Sequence, residues 1–371
     1  MRIGFDAKRL FHNFTGLGNY SRSLVRNLSR YANEDLDLHL YSPKPSQHQR
    51  VSYFQENYPI HTNEDKKILW RSKRIVSDLI RDNIDVYHGL SHEIPWGIGE
   101  RKIKTIVSMH DLIFLRYPKF YPFIDRKIYD WKFRYAARYA DQVLAISEST
   151  KADLISYYDI SPQKIQVLYQ ACDEQFYQLH KLEEIESCLA KHKLPTDFLL
   201  YVGSITERKN LLGLVQAIEL LPDSLQIPLV ILGQGKAYKV KVQEYIERKG
   251  LKKLFVFCEG IPFQDFPFIY QAAKALIYPS FFEGFGIPII EALWSKTPVI
   301  CSSSSSMPEA GGPNSLYIDP AKTEDIATAI QALLENENLS KEMKEKGYQY
   351  VQKFHGQKLS IQLLDIYKKM L

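Results

Sequence analysis

Short runs rich in Val, Ile, Leu, Phe and Tyr alternate along the chain with longer stretches whose apolar residues recur every three to four positions. That alternation predicts a parallel sheet wrapped by helices. The β-rich runs lie near residues 2–6, 36–42, 85–88, 103–109, 142–146 and 164–168. The rhythm then breaks and restarts at 198–203, 228–233, 254–258, 275–279 and 298–301, each run followed by helix-compatible sequence. One helix, expected from Ile124, places Ile124, Ile128, Trp131, Tyr135 and Tyr139 on a single apolar stripe.

Two Rossmann-like domains account for the two series, the first over residues 1–175 and the second over 176–353. Within residues 172–195 a charged, helix-like stretch, Lys181 to Lys193, ending at Pro195, suits a linker into the second domain, and 354–371 reads as one more amphipathic helix. At 371 residues, with 45% hydrophobic and 25% charged side chains, the chain has room for two cores and is neither fibrous nor disordered. Cys172, Cys188, Cys258 and Cys301 lie far apart without a C-x-x-C pair, which predicts neither a zinc knuckle nor a redox pair and fits a reducing compartment. The first six residues read as a strand and no run of eighteen apolar residues follows, so the expectation is a cytoplasmic protein whose membrane contact, if any, is peripheral.

Charge changes this picture in one place. Residues 1–175 hold 26 basic against 21 acidic residues, and 176–371 hold 22 of each. Most of the excess lies in 101–138, where 10 basic residues face 3 acidic ones, a patch suited to phosphate, nucleic acid or an anionic membrane. Nine aromatics between Tyr117 and Tyr139 are interleaved with Lys119, Arg126, Lys127, Lys132, Arg134 and Arg138. Two readings stand: the stripe is core and the cations are its solvated flank, or the helix meets a lipid headgroup region.

Ligands of open parallel sheets gather beyond the carboxyl ends of the strands. After the first run comes Thr15-Gly16-Leu17-Gly18-Asn19-Tyr20, with a helix expected from about Ser21. As a dinucleotide signature this is partial, because the loop from Lys8 to Phe14 is long and the second run ends at Tyr41-Ser42 without an acidic residue for a ribose. Its glycines either permit a turn or bring backbone amides up to a phosphate or sugar. The fourth run ends in Ser108-Met109-His110-Asp111-Leu112, a pair able to orient a hydroxyl or move a proton, or else a hydrogen-bonded strand end.

The second half opens with Tyr201-Val202-Gly203-Ser204, then Glu207-Arg208-Lys209-Asn210. Two cations before a helix oppose its dipole, so an anion is expected beside them, either a departing diphosphate or Glu207. Gly233 and Gly235 form a further glycine turn. The most specific stretch runs from Tyr278 through Glu283-Gly284-Phe285-Gly286 to Glu291. Pro288 suits a first helical turn, Gly284 and Gly286 admit backbone amides to a ligand, and Glu291, placed in that first turn, either shares a pocket with Glu283 or complements the helix dipole. The five serines at 302–306 line a polar cleft or form a solvated loop.

These residues resemble the retaining glycosyltransferases of family 4, also called group 1. The shared features are Glu283-Gly284-Phe285-Gly286 with a second glutamate eight positions after the first, the Gly16 loop, His110-Asp111-Leu112, Val202-Gly203 with Arg208-Lys209, and Pro308-Glu309 before Gly311-Gly312. They occur in the family's order over nearly the whole chain. The resemblance implies the GT-B fold: α/β, two Rossmann-like domains facing across a cleft, and a C-terminal helix, 354–371, crossing back to the first. It implies metal-independent transfer of a hexose, with a lean to mannose from GDP-mannose, from a nucleotide-diphosphate sugar to a glycan or lipid-linked acceptor in polysaccharide biosynthesis. Arg208 and Lys209 then bind the diphosphate and Glu291 the nucleotide ribose. Glu283, with the amides of Gly284, Phe285 and Gly286, cradles the transferred sugar, and His110 touches that sugar. Gly16 and Gly18 lie near the phosphate and acceptor, Gly203 and Ser204 on the donor side, and Gly233 and Ile261 near the base. Ser204 stands where many members carry a basic residue, which leaves the diphosphate to Arg208 and Lys209. No cofactor beyond the nucleotide-sugar co-substrate, no metal and no nucleic acid is implied, and residues 101–138 are the expected contact with an anionic inner membrane face.

Three rivals remain on sequence grounds. Asp35-Leu36-Asp37 matches the Asp-x-Asp motif of metal-dependent glycosyltransferases by letter. A sugar-nucleotide dehydrogenase or epimerase would use the Gly16 loop. A noncatalytic module binding an anionic polymer such as nucleic acid would explain the basic patch and leave Glu283 and Glu291 idle.

Overall fold

In the computed structural model, which describes residues 1–32, 36–44, 46–63 and 68–371, the alternation resolves into two all-parallel sheets. Among the described residues the first holds β1 (Arg2–Asp6), β2 (Asp37–Ser42), β3 (Ile60–Thr62), β4 (Val86–Gly89), β5 (Lys104–Met109), β6 (Gln142–Ala145) and β7 (Ile165–Val167). Their order is β3-β2-β1-β4-β5-β6-β7. The second holds β8 (Leu199–Val202), β9 (Leu229–Leu232), β10 (Phe255–Cys258), β11 (Ala275–Tyr278), β12 (Val299–Ser302) and β13 (Leu316–Ile318), ordered β10-β9-β8-β11-β12-β13. Central strands such as β8 and β9 are buried along their whole length, which is why they read as continuous apolar runs rather than as alternating ones.

In both sheets the order of strand addition reverses once, between β1 and β4 and between β8 and β11. At such a reversal the loops leaving the two strands diverge and open a crevice beyond their carboxyl ends. The loops after β8 and β11 hold Arg208, Lys209 and Glu283, so topology brings those residues to one edge.

The edge strands β3 and β13 were not among the expected runs. Each has three residues and gains its definition from its neighbour, through Leu40 opposite Ile60 and Ile300 opposite Leu316.

The chain divides into two compact units, Met1–Cys172 with Phe354–Leu371, and Asp173–Lys353. In the first, the terminal helix Gly356–Met370 packs on the helix Gly16–Tyr31, and its Leu359, Leu363, Leu364, Ile366 and Tyr367 join the core around β1. The helix-like stretch forms the helix Leu182–Lys191, but it belongs to the second unit, packed on the helix Phe266–Ala272, and is not a linker. Its Cys188 and Leu189 are buried, so its charges mark an outer face and not a tether.

The helix Phe123–Tyr139 forms as expected, but four of the five residues of its apolar stripe stay outside the core, while Tyr135 packs against it. Ile124 is 70% exposed, Ile128 45%, Trp131 55% and Tyr139 60%, and Phe123 beside them is 63% exposed. The buried face is Phe133, Ala136 and Ala137. Two alanines let the helix backbone approach the core closely, and most of the bulkier stripe is left outside. Among the described residues no helix is long and apolar enough to cross a membrane.

Candidate active site

At the carboxyl edge of the second sheet two cations and a carboxylate come together. β8 leads into Gly203 at φ 138°, a conformation that L side chains rarely adopt, and a Cβ on Gly233 at the end of β9 would collide with the Gly203 carbonyl. The paired strand ends therefore close up, and the chain turns through Glu207–Lys209 into the helix Leu211–Glu219. The loop after β11 is fastened to this turn: Phe281 N donates to the Arg208 carbonyl at 2.9 Å, and Arg208 Nη1 donates to the Phe282 carbonyl at 2.6 Å.

Arg208 Nη1 and Lys209 Nζ both converge on Glu283 Oε1, at 2.7 and 2.9 Å. Lys209 Nζ also reaches the Tyr278 hydroxyl at 2.5 Å. Lys209 and Glu283 are buried. Burial by itself would raise the Glu283 carboxyl, but the Arg208 and Lys209 charges outweigh it and hold the group down at about 2. Burial likewise pulls Lys209 below the usual lysine range, against the attraction of Glu283. Two cations facing one carboxylate leave a surplus positive charge in a place of low dielectric. The anion beside the cations is thus Glu283, while Glu207, the alternative read from sequence, is exposed.

Glu291 is not in the first turn of its helix. Ile287–Trp294 begins at Gly286, at φ 108°, with Pro288 in the first turn, and Glu291 follows in the second turn. It is buried, and the Tyr270 hydroxyl donates to its Oε2 at 2.7 Å. Burial pushes its carboxyl up to about 7, against the lowering effect of Tyr270. A glutamate this far into the helix and this dry is not there for the dipole.

The serines at 302–306 neither line an open cleft nor form a free loop. Ser302 Oγ donates to the Ser280 carbonyl at 2.6 Å, Ser304 Oγ to Phe281 at 2.9 Å, and Ser306 Oγ to Glu283 at 2.9 Å and Phe285 at 3.2 Å. Ser305 Oγ accepts from Glu283 N at 3.1 Å. These hydroxyls fix the backbone on which Glu283, Gly284 and Phe285 are mounted. The positioning role of these serines, and of Tyr270 and Tyr278, is what residue-by-residue reading missed. Its one visible signal was a run of small hydroxyl residues just beyond a strand. Gly233 lies after β9, and Ser204 and Ile261 lie in the exposed or half-buried loops after β8 and β10, so the expected donor residues share this edge.

The first sheet presents a different edge. His110 follows β5 and is buried, with Nε2 at 2.9 Å from the Leu90 carbonyl and Nδ1 at 3.1 Å from Gln170 Nε2. An amide nitrogen can only donate, so Nδ1 accepts and Nε2 carries the proton. Burial lowers the ring to about 4, which leaves it neutral at pH 7. Beside it, Tyr367 of the terminal helix, His88 and Ser108 are linked at 2.6 and 2.8 Å, and Ser108 meets Tyr20 at 2.7 Å. Gly16 and Gly18 are not in a loop, since the helix Gly16–Tyr31 starts at Gly16. Asn13 Oδ1 accepts from Thr15 N and Gly18 N and holds that start in place, and a Cβ on Gly18 would strike the Asn13 carbonyl.

As for a metal, Asp35 lies outside the described residues. Asp37 opens β2 at the amino end of the sheet and is engaged by Arg2 Nε at 2.9 Å and His39 Nε2 at 3.0 Å. Asp37 therefore does not fall on a ligand edge. A dinucleotide has no tight turn at Gly16 to receive it.

The family profile described as Glycosyltransferase Family 4 matches residues 14–176, and that described as Glycosyl transferases group 1 matches residues 189–350. The chain belongs to the group 1 glycosyltransferases. Among curated relatives of this glycosyltransferase is the O-antigen chain mannosyltransferase B of Escherichia coli, 26% identical over 99% of this chain and 100% of that one. The serotype-specific mannosyltransferase WbdA of Escherichia coli is 30% identical over 68% of this chain but only 31% of its own length. Among solved structures, HepE from Anabaena in complex with UDP-glucose superposes with a TM-score of 0.80 at 16% identity over 100% of both chains. WaaG, a glycosyltransferase involved in lipopolysaccharide biosynthesis, does so at 0.73 with 19% identity over 99% of both. The fold is GT-B, with two Rossmann-like α/β domains.

Proposed function

We propose that this glycosyltransferase moves a hexose, mannose from GDP-mannose in the first instance, to a hydroxyl of a glycan or lipid-linked acceptor in polysaccharide assembly, with retention at the anomeric carbon. The observation that carries this reading is the buried Arg208–Lys209–Glu283 cluster with its surplus positive charge. In the transfer the bond from the sugar's C1 to the diphosphate oxygen breaks, and the diphosphate keeps the electron pair. The acceptor oxygen bonds to C1 on the same face, and its proton passes to the departing phosphate. Fixed cations in a dry site stabilise that developing charge without reorganisation, so no metal is needed. As the diphosphate takes over Arg208 and Lys209, Glu283 is released toward the sugar, and Glu291, steadied by Tyr270, receives the ribose. The mannosyltransferase relatives favour mannose as the sugar. No nucleic acid or redox cofactor enters this scheme.

The exposed stripe on Phe123–Tyr139 supports a cytoplasmic enzyme held at an anionic membrane face, where lipid-linked acceptors are found. Arg126 and Lys127 lie 5.4 and 5.6 Å from the Phe123 ring centre, so cation and aromatic occupy one patch.

The test is a panel of nucleotide sugars assayed for transfer and hydrolysis with and without chelator, with the product's anomeric configuration read by NMR. Turnover of GDP-mannose in chelator with an α-configured product is expected. Activity that dies in EDTA and returns with manganese or magnesium, or an inverted product, overturns the reading.

A further inference from the structure

At the start of the helix that carries Tyr270, three side chains of different chemistry converge. Cys188 and His192 are four residues apart at the end of the helix Leu182–Lys191, so both project from one face. Asp265 closes the short turn Phe263–Asp265 and precedes the helix Phe266–Ala272. The Cys188 sulfur, a His192 ring nitrogen and an Asp265 carboxylate oxygen all lie within 4.8 Å of one another. Cys188 and Asp265 are buried, and the His192 side chain is nearly so.

This is a zinc-type donor set. A thiolate, an imidazole and a carboxylate bind zinc at about 2.3, 2.0–2.1 and 2.0–2.2 Å, and three protein ligands leave a fourth position for water. Tetrahedral geometry at those bond lengths needs ligand atoms roughly 3.3–3.7 Å apart. His192 Nε2 stands 2.7 Å from Asp265 Oδ2, so that hydrogen-bonded pair has to open by about 0.6 Å and the sulfur has to close by an ångström or so to admit an ion. The carboxylate also shows that the place accepts a cation, because the Lys191 ammonium sits 2.8 Å from Asp265 Oδ2. That lysine side chain is 60% exposed, so it can turn into water at little cost.

We propose that Cys188, His192 and Asp265 form a three-ligand site for a zinc-class divalent ion, independent of the transfer reaction. On binding, the thiol proton leaves to solvent and Lys191 swings out. The ion then ties the helix Leu182–Lys191 to the start of the helix whose Tyr270 holds Glu291, and it stiffens that support without touching substrate.

The full chain, stripped of metal, is titrated with Co²⁺ as a coloured stand-in and then with Zn²⁺. One equivalent of Co²⁺ is expected to give a sulfur-to-metal charge-transfer band with visible tetrahedral bands, all displaced by Zn²⁺, and Zn²⁺ is expected to raise Tm. Cys188→Ser should abolish the charge-transfer band, and His192→Gln and Asp265→Asn should each weaken binding about 10-fold or more. Cys258→Ser, at a half-buried thiol outside the cluster, should change nothing. If Cys188→Ser does not fold, the His192 and Asp265 variants decide. No saturable band in the wild type, or a band that survives in Cys188→Ser or is unweakened in His192→Gln and Asp265→Asn, overturns the site.

Discussion

The two sheets share one topology at their points of reversal yet carry different titratable groups there. Beyond the first sheet, burial drives His88 and His110 down to about 3 and 4, and His92 falls well below the usual histidine range, so these rings are neutral at pH 7, while Arg71 pairs with Asp6 at the end of β1 and with Glu93 after β4. Beyond the second, an equally buried Glu283 keeps its charge because two cations face it. Desolvation acts on both, and what differs is the partner: the His88 and His110 rings are held by hydroxyls, a carbonyl and an amide, whereas two cations face the Glu283 carboxylate. A departing diphosphate needs fixed positive charge of that kind, whereas a hydroxyl acceptor does not.

The comparison breaks most sharply at the cations. Replacing Arg208 and Lys209 together by alanine should reduce turnover on the order of 10³-fold or more, since a single lost charge-stabilising donor already costs about 10²–10³. Initial rates in chelator measure this, and a loss under tenfold would return the leaving-group charge to some other group.

Glu283→Gln tests the same cluster from the anionic side. It leaves two cations around a neutral amide, so a Tm loss corresponding to about 3 kcal/mol is expected without ligand. Added nucleoside diphosphate should recover more stability in the variant than in the wild type, because the diphosphate supplies the missing anion. Thermal unfolding with and without GDP reads both effects, and an equal GDP shift in the two proteins would count against the cluster as the diphosphate seat.

Glu291 sharpens the comparison through pH. Its folded value, about 7, lies above the ordinary 4.5, so the folded state holds the proton more tightly and loses stability as pH rises from about 4.5 to about 7. Glu291→Gln should remove that fall, a gain of at most about 3 kcal/mol at pH 8 at about 1.4 kcal/mol per unit. Glu283 runs the other way: its contribution is complete above about 4.5 and disappears as pH falls toward about 2. Denaturant midpoints measured from pH 4 to 8 for wild type and variant check the sign. Donor KM should also rise in Glu291→Gln.

The smallest expected effect concerns the outer surface of the first unit. Vesicles with anionic lipid should retain the wild type at low salt and release it at high salt, at about 1 kcal/mol per cation near the surface. Phe123→Ser with Trp131→Ser, or Arg126→Gln with Lys127→Gln, should each release it while leaving transfer to a water-soluble acceptor unchanged. Co-sedimentation decides, and retention by neutral vesicles alone would point to apolar adhesion without charge.

Much of the fold could be read from the sequence because buried parallel strands such as β8 and β9 are unbroken apolar runs and the spacing between them repeats. The three-residue edges β3 and β13 could not, since so short a strand is defined only by its neighbour. The stripe on Phe123–Tyr139 shows the limit of periodicity: it established the helix and its apolar face, but Ala136 and Ala137 decided which side went inward. In the site, Arg208, Lys209, Glu283 and Glu291 were visible as residue types beyond strands. Their pairing was not, because Glu283 lies 75 positions beyond Arg208 in the chain. The serines at 302–306 carry no charge or ring to betray them, and their work is done by hydroxyls aimed at carbonyls 21 to 23 positions away in sequence.

The central claim is that the second sheet's cations, and not the first sheet's histidines, hold the donor's diphosphate. Calorimetric titration of GDP-mannose in chelator into wild type, Arg208→Ala/Lys209→Ala and His110→Gln tests it directly. Binding should be lost or weakened by at least about 100-fold in the double variant and kept within a few-fold in His110→Gln. Equal affinity in wild type and the double variant, or loss confined to His110→Gln, would contradict the account.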